Sequence, residues 1–464
     1  MKQALSVLKK ILGKDLTRKI RPLGHGSKAL LAAQLNGYPG RELIKVGITG
    51  TKGKTTTSVL TGRLMNLAGL KTGYVTTSVI YTGKGEEFLN PYKMTTIDSF
   101  SLQKYLLKML ENDCKYVVLE MSSQGLEQNR HLGLGQFDAG VFLNLFPEHI
   151  EAHGSFENYR RCKGILFQNL KSNGGFICTN EEEQLEHAKF YTDVITKYVK
   201  PNETFQITVR KETDYQIQEK VNSIYKYLVV NNQVYKTNFQ SDFDINNLVF
   251  AIKITQIYNP EIYNNLQTYL DHIKPIPGRM EFVVRNGQIV FEGSEKSEKK
   301  PKTTKLTNTS ILVDYAHEPE SLKLLLKTLN HWKKKGYCDQ IIHILSSDGA
   351  GRDDWKKPIM GDLSLELADI SLLTTDNYDE GDNPLDIIDL LGKNYPENLK
   401  NKKYFSETDR RKTFLKALEI AKTKKPQKTL IVSTGVGSEQ GLTQPGGKIE
   451  WDERKVWIEM FNNF

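Results

Sequence analysis

No apolar run in this chain approaches the ~20 residues needed to span a bilayer, so none of its 464 residues reads as part of a transmembrane helix. Cysteine is scarce. Cys114, Cys162, Cys178 and Cys338 are scattered, with no Cys-x-x-Cys pair, which argues against a zinc ribbon or a secreted disulfide framework and for a reducing cytoplasm. The first residues, MKQALSVLKKILGKDLTRKI, are basic but lack an uninterrupted apolar centre and a small-residue cleavage site. No fixed-period repeat is present. The formal charge of +9 comes from dispersed lysines. Its densest cluster, SEKSEKKPKTTK (residues 294–305), has no aromatic residue for base stacking, so it reads as a solvated loop and not as a nucleic-acid surface.

Hydrophobic residues make up 38% of the chain, enough for sizeable cores. At ~100–200 residues per domain, two or three domains are expected. Residues 1–40 are mostly helical in pattern, with Leu5, Leu8, Leu12, Leu16 and Ile20 at helical spacing. Such a basic amphipathic helix is expected to pack on its own domain, with attachment of residues 1–20 to an anionic membrane surface as the alternative. From Leu43 short apolar runs alternate with helical stretches, which implies right-handed crossovers and a mainly parallel sheet. Residues 205–240 alternate polar and apolar, as antiparallel strands at the edge of that sheet would. KPIPGRMEFV, from Lys274 to Val283, carries two prolines and a glycine and reads as a hinge. A second βα series follows it.

The stretch KVGITGTKGKTTTSVLTG, Lys45 to Gly62, places a glycine turn and a lysine between a strand-like run and a helix. It departs from the pattern G-x-x-x-x-G-K-[ST], because Ile48 stands five residues before Gly53. The loop is compact: Gly50-Thr51-Lys52-Gly53-Lys54-Thr55. Its physics is still that of a phosphate cradle, with inward backbone N–H groups, a helix N-terminus and a lysine that can reach the outer phosphates. Thr55 can place its hydroxyl on Mg²⁺, and Glu120, at the end of the apolar run VVLE, would be an expensive buried carboxylate without a metal to hold. Further on, Asn144 sits near another strand end, and Glu148, His149, Glu151 and His153 crowd one loop. Lys163 follows in an apolar helical context. The chain is therefore read as α/β: a short helical N-terminal segment (1–42), a central P-loop ATPase domain with a mainly parallel sheet (43–276), and a C-terminal Rossmann-like α/β domain (277–464).

The loop GTKGKT, EMSS, PEHIEAHG with Tyr159 and Lys163 beyond it, PGRME, VDYAHEPES, GRDDWKKPIMG and GVGSEQ occur in that order over about residues 43–460. Together they resemble the Mur ligases, most closely the MurE type, the UDP-N-acetylmuramoyl-dipeptide:amino-acid ligases of peptidoglycan synthesis. The resemblance implies a cytoplasmic enzyme that uses ATP to turn a muramoyl-peptide carboxylate into an acyl phosphate, which the amine of a free amino acid then displaces. It implies that Gly50, Thr51, Lys52, Gly53, Lys54, Thr55 and Thr56 hold the phosphates. Thr55 and Glu120 would bind one Mg²⁺ and His149 a second, supported by Lys163 once CO₂ has carbamylated it. Asn247 would lie at the adenine, and Arg279, Asp314, Tyr315 and His317 would reach the nucleotide from the second domain, so that the site closes around substrate.

By the same resemblance Thr95, Thr96, Ser122, Ser123 and Arg130 contact the acceptor, and Arg352, Asp376, Asn377, Gly435 and Glu439 the incoming amino acid. Two departures stand out. MurE enzymes that add diaminopimelate carry Asp-Asn-Pro-Arg, whereas this chain has Asp376-Asn377-Tyr378-Asp379, which favours a distal ammonium over a distal carboxylate. About forty-two residues precede the first apolar strand, where MurE proteins carry a UDP-binding α/β domain, so acceptor recognition through another surface, or a different acceptor, is expected. A folylpolyglutamate-synthase-like ligase and a nucleotide-binding protein without ligase activity are the alternatives. No Asn-Lys-x-Asp guanine reader supports a GTP switch.

Overall fold

The structure is a computed structural model that describes residues 22–92, 94–220, 223–291, 306–349, 351, 353–423 and 428–464. The amphipathic stretch 1–20, the basic cluster 294–305 and the candidate pocket residue Arg352 lie outside these. The chain forms two compact units, Met1–Glu219 with Tyr225–Ile273, and Lys220–Ile224 with Lys274–Phe464.

In the first unit, apolar runs too continuous for a half-exposed strand form a sheet covered on both faces. Its strands are β1 (Ile44–Thr49), β2 (Thr72–Val75), β3 (Val79–Tyr81), β4 (Phe88–Leu89), β5 (Tyr116–Glu120), β6 (Phe137–Phe142), β7 (Leu170–Thr179) and β8 (Gln206–Arg210), in the order β4-β3-β2-β5-β1-β6-β7-β8. From β2 to β8 every pairing is parallel, while β3 and β4 add an antiparallel edge. Central β1 lies between β5 and β6, so the chain leaves the C-terminal ends of three adjacent strands beside one another. In open α/β sheets the crevice outside those ends takes the ligand.

The alternating stretch 205–240 departs from expectation. β8 extends the main sheet in parallel, and β9 (Gln216–Glu219), β10 (Lys226–Val230) and β11 (Gln233–Lys236) form an antiparallel sheet of their own. Alternation reports one solvated face, not which sheet a strand joins. The β10–β11 turn uses Asn231 and Asn232 at φ 52° and 59°, the left-handed pair that a tight hairpin requires. Residues 22–35 form a helix. Gly133, at φ +91°, lets it pack closely: a Cβ there would sit 2.7 Å from both the Ala29 carbonyl oxygen and the Ala33 Cβ.

The second unit has β12 (Glu281–Arg285), β13 (Gln288–Ile289), β14 (Thr309–Val313), β15 (Gln340–Leu345), β16 (Ile370–Leu373), β17 (Tyr404–Ser406) and β18 (Thr429–Ser433), ordered β13-β12-β14-β18-β15-β16-β17. The five strands from β14 to β17 in that order are parallel, and β12–β13 is an antiparallel hairpin at one edge. Its core includes Trp457 stacked on Phe414 with ring centroids 3.9 Å apart. All four cysteines are free and buried. Among the described residues no helix is long and apolar enough to cross a membrane.

Gly361, on the helix Lys356–Leu367, lies against the end of the helix Pro384–Leu391, where a Cβ would fall 1.7 Å from the Leu391 carbonyl oxygen. The obstruction is backbone and cannot rotate away. Gly361→Ala should therefore destabilise the protein by ~1–3 kcal/mol through overpacking, outweighing the ~1 kcal/mol that alanine gains as a helix former. A lowered urea midpoint would show it; a raised one would show that the helices part freely.

Candidate active site

The site starts where β1 ends. Gly53 adopts φ +77° and caps the helix Lys54–Leu67 without any side-chain hydrogen bond to the first turn, which leaves those amides directed at the loop, as an anion requires. Glycine is required here on two counts. The backbone is left-handed, and a Cβ would lie 2.3 Å from Asn247 Oδ1, which itself accepts from the Thr57 hydroxyl at 3.2 Å. Asn144, just past β6, holds the loop from the other side, its Oδ1 accepting from the amides of Thr51 at 3.1 Å and Lys52 at 2.9 Å. Lys54 folds over the turn and donates to the carbonyls of Gly50 (3.1 Å) and Thr51 (2.8 Å). Thr56 is buried on the same first turn.

Glu120 ends β5 and is 3% exposed. Its carboxylate accepts from the Thr55 hydroxyl at 3.0 and 3.1 Å, and from the Thr77 amide at 2.7 Å and hydroxyl at 3.0 Å. The Thr77 hydroxyl also lies 2.9 Å from Thr95 Oγ1, tying a candidate acceptor residue to the carboxylate. Hydroxyl plus carboxylate oxygens are the hard ligands that Mg²⁺ prefers.

Lys163 closes the cradle. It lies on the helix Phe156–Gln168, one turn after Tyr159 on the same face. The Tyr159 hydroxyl meets Thr51 Oγ1 at 3.1 Å, while Lys163 Nζ donates to the Gly50 carbonyl at 2.7 Å and lies 4.5 Å from the centre of the Tyr159 ring. Lys163 is 1% exposed. Burial, reinforced by the positive charge of Lys54, pushes its amine well below the ordinary lysine range, against the opposing pull of Glu148 and Glu120. His149 is placed differently. It sits at φ 54° with a side chain 41% exposed, 3.6 Å from Glu148 Oε1.

The acceptor candidates gather near Glu120. Ser122 caps the helix Ser123–Glu127 through the Gly125 amide at 3.1 Å and meets Thr96 Oγ1 at 3.0 Å. Arg130 donates to the Thr96 carbonyl at 2.9 Å and to Gln128 Oε1 at 2.9 Å. Ser123 Oγ lies 3.0 Å from Nε2 of the wholly buried His153, whose Nδ1 is 3.2 Å from Glu127 Oε2. Sequence reasoning passed over Thr77 and Glu127 and gave Tyr159 and His153 no role. The only available signal was that His153 and Tyr159 share a loop and helix start with His149 and Lys163.

In the second unit the carboxylate of Asp314 accepts the amides of Met280 and Ala316, each at 2.8 Å, and its burial raises its pKa. Arg279 lies over the Tyr315 ring at 4.4 Å, and His317 Nδ1 donates to the Tyr315 carbonyl at 2.7 Å. The Tyr315 hydroxyl donates to Glu439 Oε1 at 3.0 Å, and Asn377 Nδ2 reaches Glu439 Oε2 at 3.4 Å. Asp376, 4% exposed, accepts from Ser346 Oγ at 2.9 Å and from the Asn377 amide at 2.5 Å. Burial and then the nearby Asp348 push its carboxyl well above the usual range. Gly435, at φ +101°, makes room for this cluster, since a Cβ would lie 2.9 Å from Asp376 Oδ2. The Asp379 amide donates to Asp382 Oδ2 at 2.8 Å.

Because Gly53 is both left-handed and crowded, Gly53→Ala should weaken ATP binding about tenfold or more, the equivalent of the ~1–2 kcal/mol left-handed penalty. Titration calorimetry that returned the unaltered affinity would contradict this account of the loop.

Residues 48–255 match the Mur ligase middle domain and residues 302–437 the Mur ligase glutamate ligase domain. Over 444 residues the chain is 30% identical to the UDP-N-acetylmuramoyl-L-alanyl-D-glutamate–2,6-diaminopimelate ligase of Clostridium perfringens, covering 92% of this chain and 80% of that protein. It is 28% identical over 425 residues to the UDP-N-acetylmuramyl-tripeptide synthetase of Borreliella burgdorferi, covering 90% of this chain and 76% of that protein. A solved UDP-N-acetylmuramoyl-L-alanyl-D-glutamate–2,6-diaminopimelate ligase superposes with TM-score 0.54 at 23% identity, covering 91% of this chain and 78% of that one. The Mycobacterium tuberculosis folylpolyglutamate synthase, solved with ADP and AMPPCP, gives TM-score 0.63 at 13% identity, covering 88% and 92%; these two likenesses show the fold alone. With a relative 30% identical across most of both chains, this protein belongs to the Mur ligase family of ATP-dependent ligases.

Proposed function

We propose that this protein uses ATP to add an amino acid to a muramoyl-peptide-type acceptor, as a step in making peptidoglycan precursors. The observation that carries the reading is the buried Lys163 amine, 2.7 Å from the Gly50 carbonyl of the phosphate loop, beside a loop whose Thr55 hydroxyl meets Glu120. A carboxylate is a poor electrophile with a poor leaving group. Phosphorylation corrects both, provided that the γ-phosphate and acceptor carboxylate are held together and their charge is neutralised. The loop amides and Lys54 hold the β- and γ-phosphates. Ser122, Ser123, Thr95, Thr96 and Arg130 orient the acceptor, and Arg130 can pair with a carboxylate or phosphate. Attack of the acceptor carboxylate on the γ-phosphorus forms the acyl phosphate and ADP. The amino acid's amine then attacks the acyl carbon and phosphate leaves.

Thr55 and Glu120 would supply oxygen ligands for Mg²⁺, and His149 with a carbamylated Lys163 would supply a second set. When bound, the ion offsets the negative charge of the phosphates. Carbamylation requires a neutral amine: the nitrogen bonds to CO₂ carbon and sheds a proton, so a cation becomes an anion. The lowered pKa of Lys163 keeps the neutral form available. Lys163→Ala should reduce phosphate release on the order of 10²-fold or more, with part of the activity restored by a short carboxylate in the buffer. A fully active variant would remove Lys163 from the mechanism.

The amino acid is proposed to carry a distal ammonium. Asp379 stands where diaminopimelate-adding relatives of the MurE type place arginine. A like charge on the substrate would be repelled there. Phosphate release, measured with a panel of acceptors crossed against amino acids, should require both substrates and favour lysine or ornithine over diaminopimelate. Release with a folate acceptor, or without any amine, would refute the reading, and diaminopimelate outperforming lysine would refute its specificity.

A further inference from the structure

An arginine and a glutamate are buried together in the second unit, far enough from water that their pairing needs a reason. Arg410 opens the helix Arg410–Thr423 and is 4% exposed, and Glu453 opens the helix Glu453–Asn463 and is 0% exposed. The pair is bidentate, Nε to Oε2 at 2.9 Å and Nη2 to Oε1 at 2.5 Å, and Trp451 Nε1 donates to the same Oε2 at 2.8 Å. Desolvating two charges costs as much as their attraction returns, so a buried pair is weak evidence of a stabilising role. What distinguishes this pair is where the remaining guanidinium donors go. Nη2 reaches the Thr434 carbonyl at 3.1 Å and Nη1 the Thr375 carbonyl at 3.5 Å. Thr434 directly precedes Gly435, and Thr375 directly precedes Asp376.

Those carbonyls end two different strands. Thr434 follows β18 and Thr375 lies two residues beyond β16, with β15 between the two strands. Among the described residues no backbone ladder bond joins the two loops across that gap, so a planar fork with fixed geometry is a means of setting their separation. A third contact brackets the same point: His343 of β15, wholly buried, meets Thr434 Oγ1 at 3.0 Å. Arg410 is also the cation that opposes the raised proton affinity of Asp376, which burial and Asp348 drive.

We infer that Arg410, locked by Glu453, is a positioning residue for the amino-acid pocket, bridging the Thr375–Asn377 and Thr434–Glu439 loops so that Asp376, Asn377, Gly435 and Glu439 keep one spacing. This rests on the ligase reading above. It adds a determinant of amino-acid affinity that touches neither substrate nor nucleotide. The pair was invisible in sequence because Arg410 lies in an ordinary charged run, SETDRRKTF, and Glu453 in WDERK, forty-three residues away.

The test uses the full chain and steady-state phosphate release with lysine, ATP and a muramoyl-dipeptide acceptor varied in turn. Arg410→Lys keeps the charge and loses the fork, and Glu453→Asp keeps both charges and withdraws the carboxylate by one methylene. A third variant, Arg410→Met with Glu453→Met, removes the pair by a swap that cores commonly tolerate. KM is read from the folded fraction alone, so partial misfolding lowers the apparent kcat without disguising the result. Each variant should raise the amino-acid KM about tenfold or more, as small misplacements of a pocket do, while the KM for ATP stays within about twofold. An unchanged amino-acid KM in any variant that turns over, or an equal rise in all three KM values, would overturn the inference. Should the wild-type protein show no amine-dependent release at all, the ligase reading fails first and takes the inference with it.

Discussion

The amine of Lys163, 2.7 Å from the Gly50 carbonyl and shut away from water, sets the terms for everything around the phosphate loop. A charged ammonium at this depth would be costly, and the neighbouring Lys54 makes it costlier. The chain tolerates the position because three strand ends deliver partners to it: the loop after β1 gives a carbonyl, β5 gives Glu120, and the turn after β6 gives Asn144 to hold the loop. Remove the parallel order β5-β1-β6 and these groups have no reason to meet.

The second unit solves a related problem with the opposite charge. Its strand ends carry Asp314, Asp348, Asp376 and Glu439 into a region where carboxylates are poorly solvated, and Asp376 and Asp314 respond by holding protons more tightly. Backbone amides, the Tyr315 hydroxyl and Ser346 satisfy these groups in part. Arg410 supplies a buried counter-charge and, through its carbonyl contacts, a brace. In each unit the candidate site side chains gather at the C-terminal ends of parallel strands, where loops can vary while the sheet stays rigid.

Much of the candidate site could be read before the fold was known, because its members are chemically odd for their surroundings. A glycine-lysine turn between strand and helix, a glutamate ending an apolar run and a lysine in an apolar helix each conflict with burial unless something pairs with them. Thr77, Tyr159 and Glu127 carry no such oddity. A threonine, a tyrosine and an exposed-looking glutamate fit anywhere, and only the folded chain brings Thr77 to Glu120 and Tyr159 to Thr51. The separate sheet made by β9, β10 and β11 was hidden for a similar reason, since alternation marks a strand without naming its neighbour.

What the sequence determined by itself was local: the order of strands and helices, the compact loop, and the set of buried charges that had to find partners. Those follow from periodicity and from the cost of desolvation, which act residue by residue. Which partners they found was decided by tertiary structure. The meeting of Arg410 with Glu453, and of Lys163 with a carbonyl 113 positions earlier in the chain, depends on sheet order and crossover, and contacts at that separation leave no trace in the spacing of neighbouring residues.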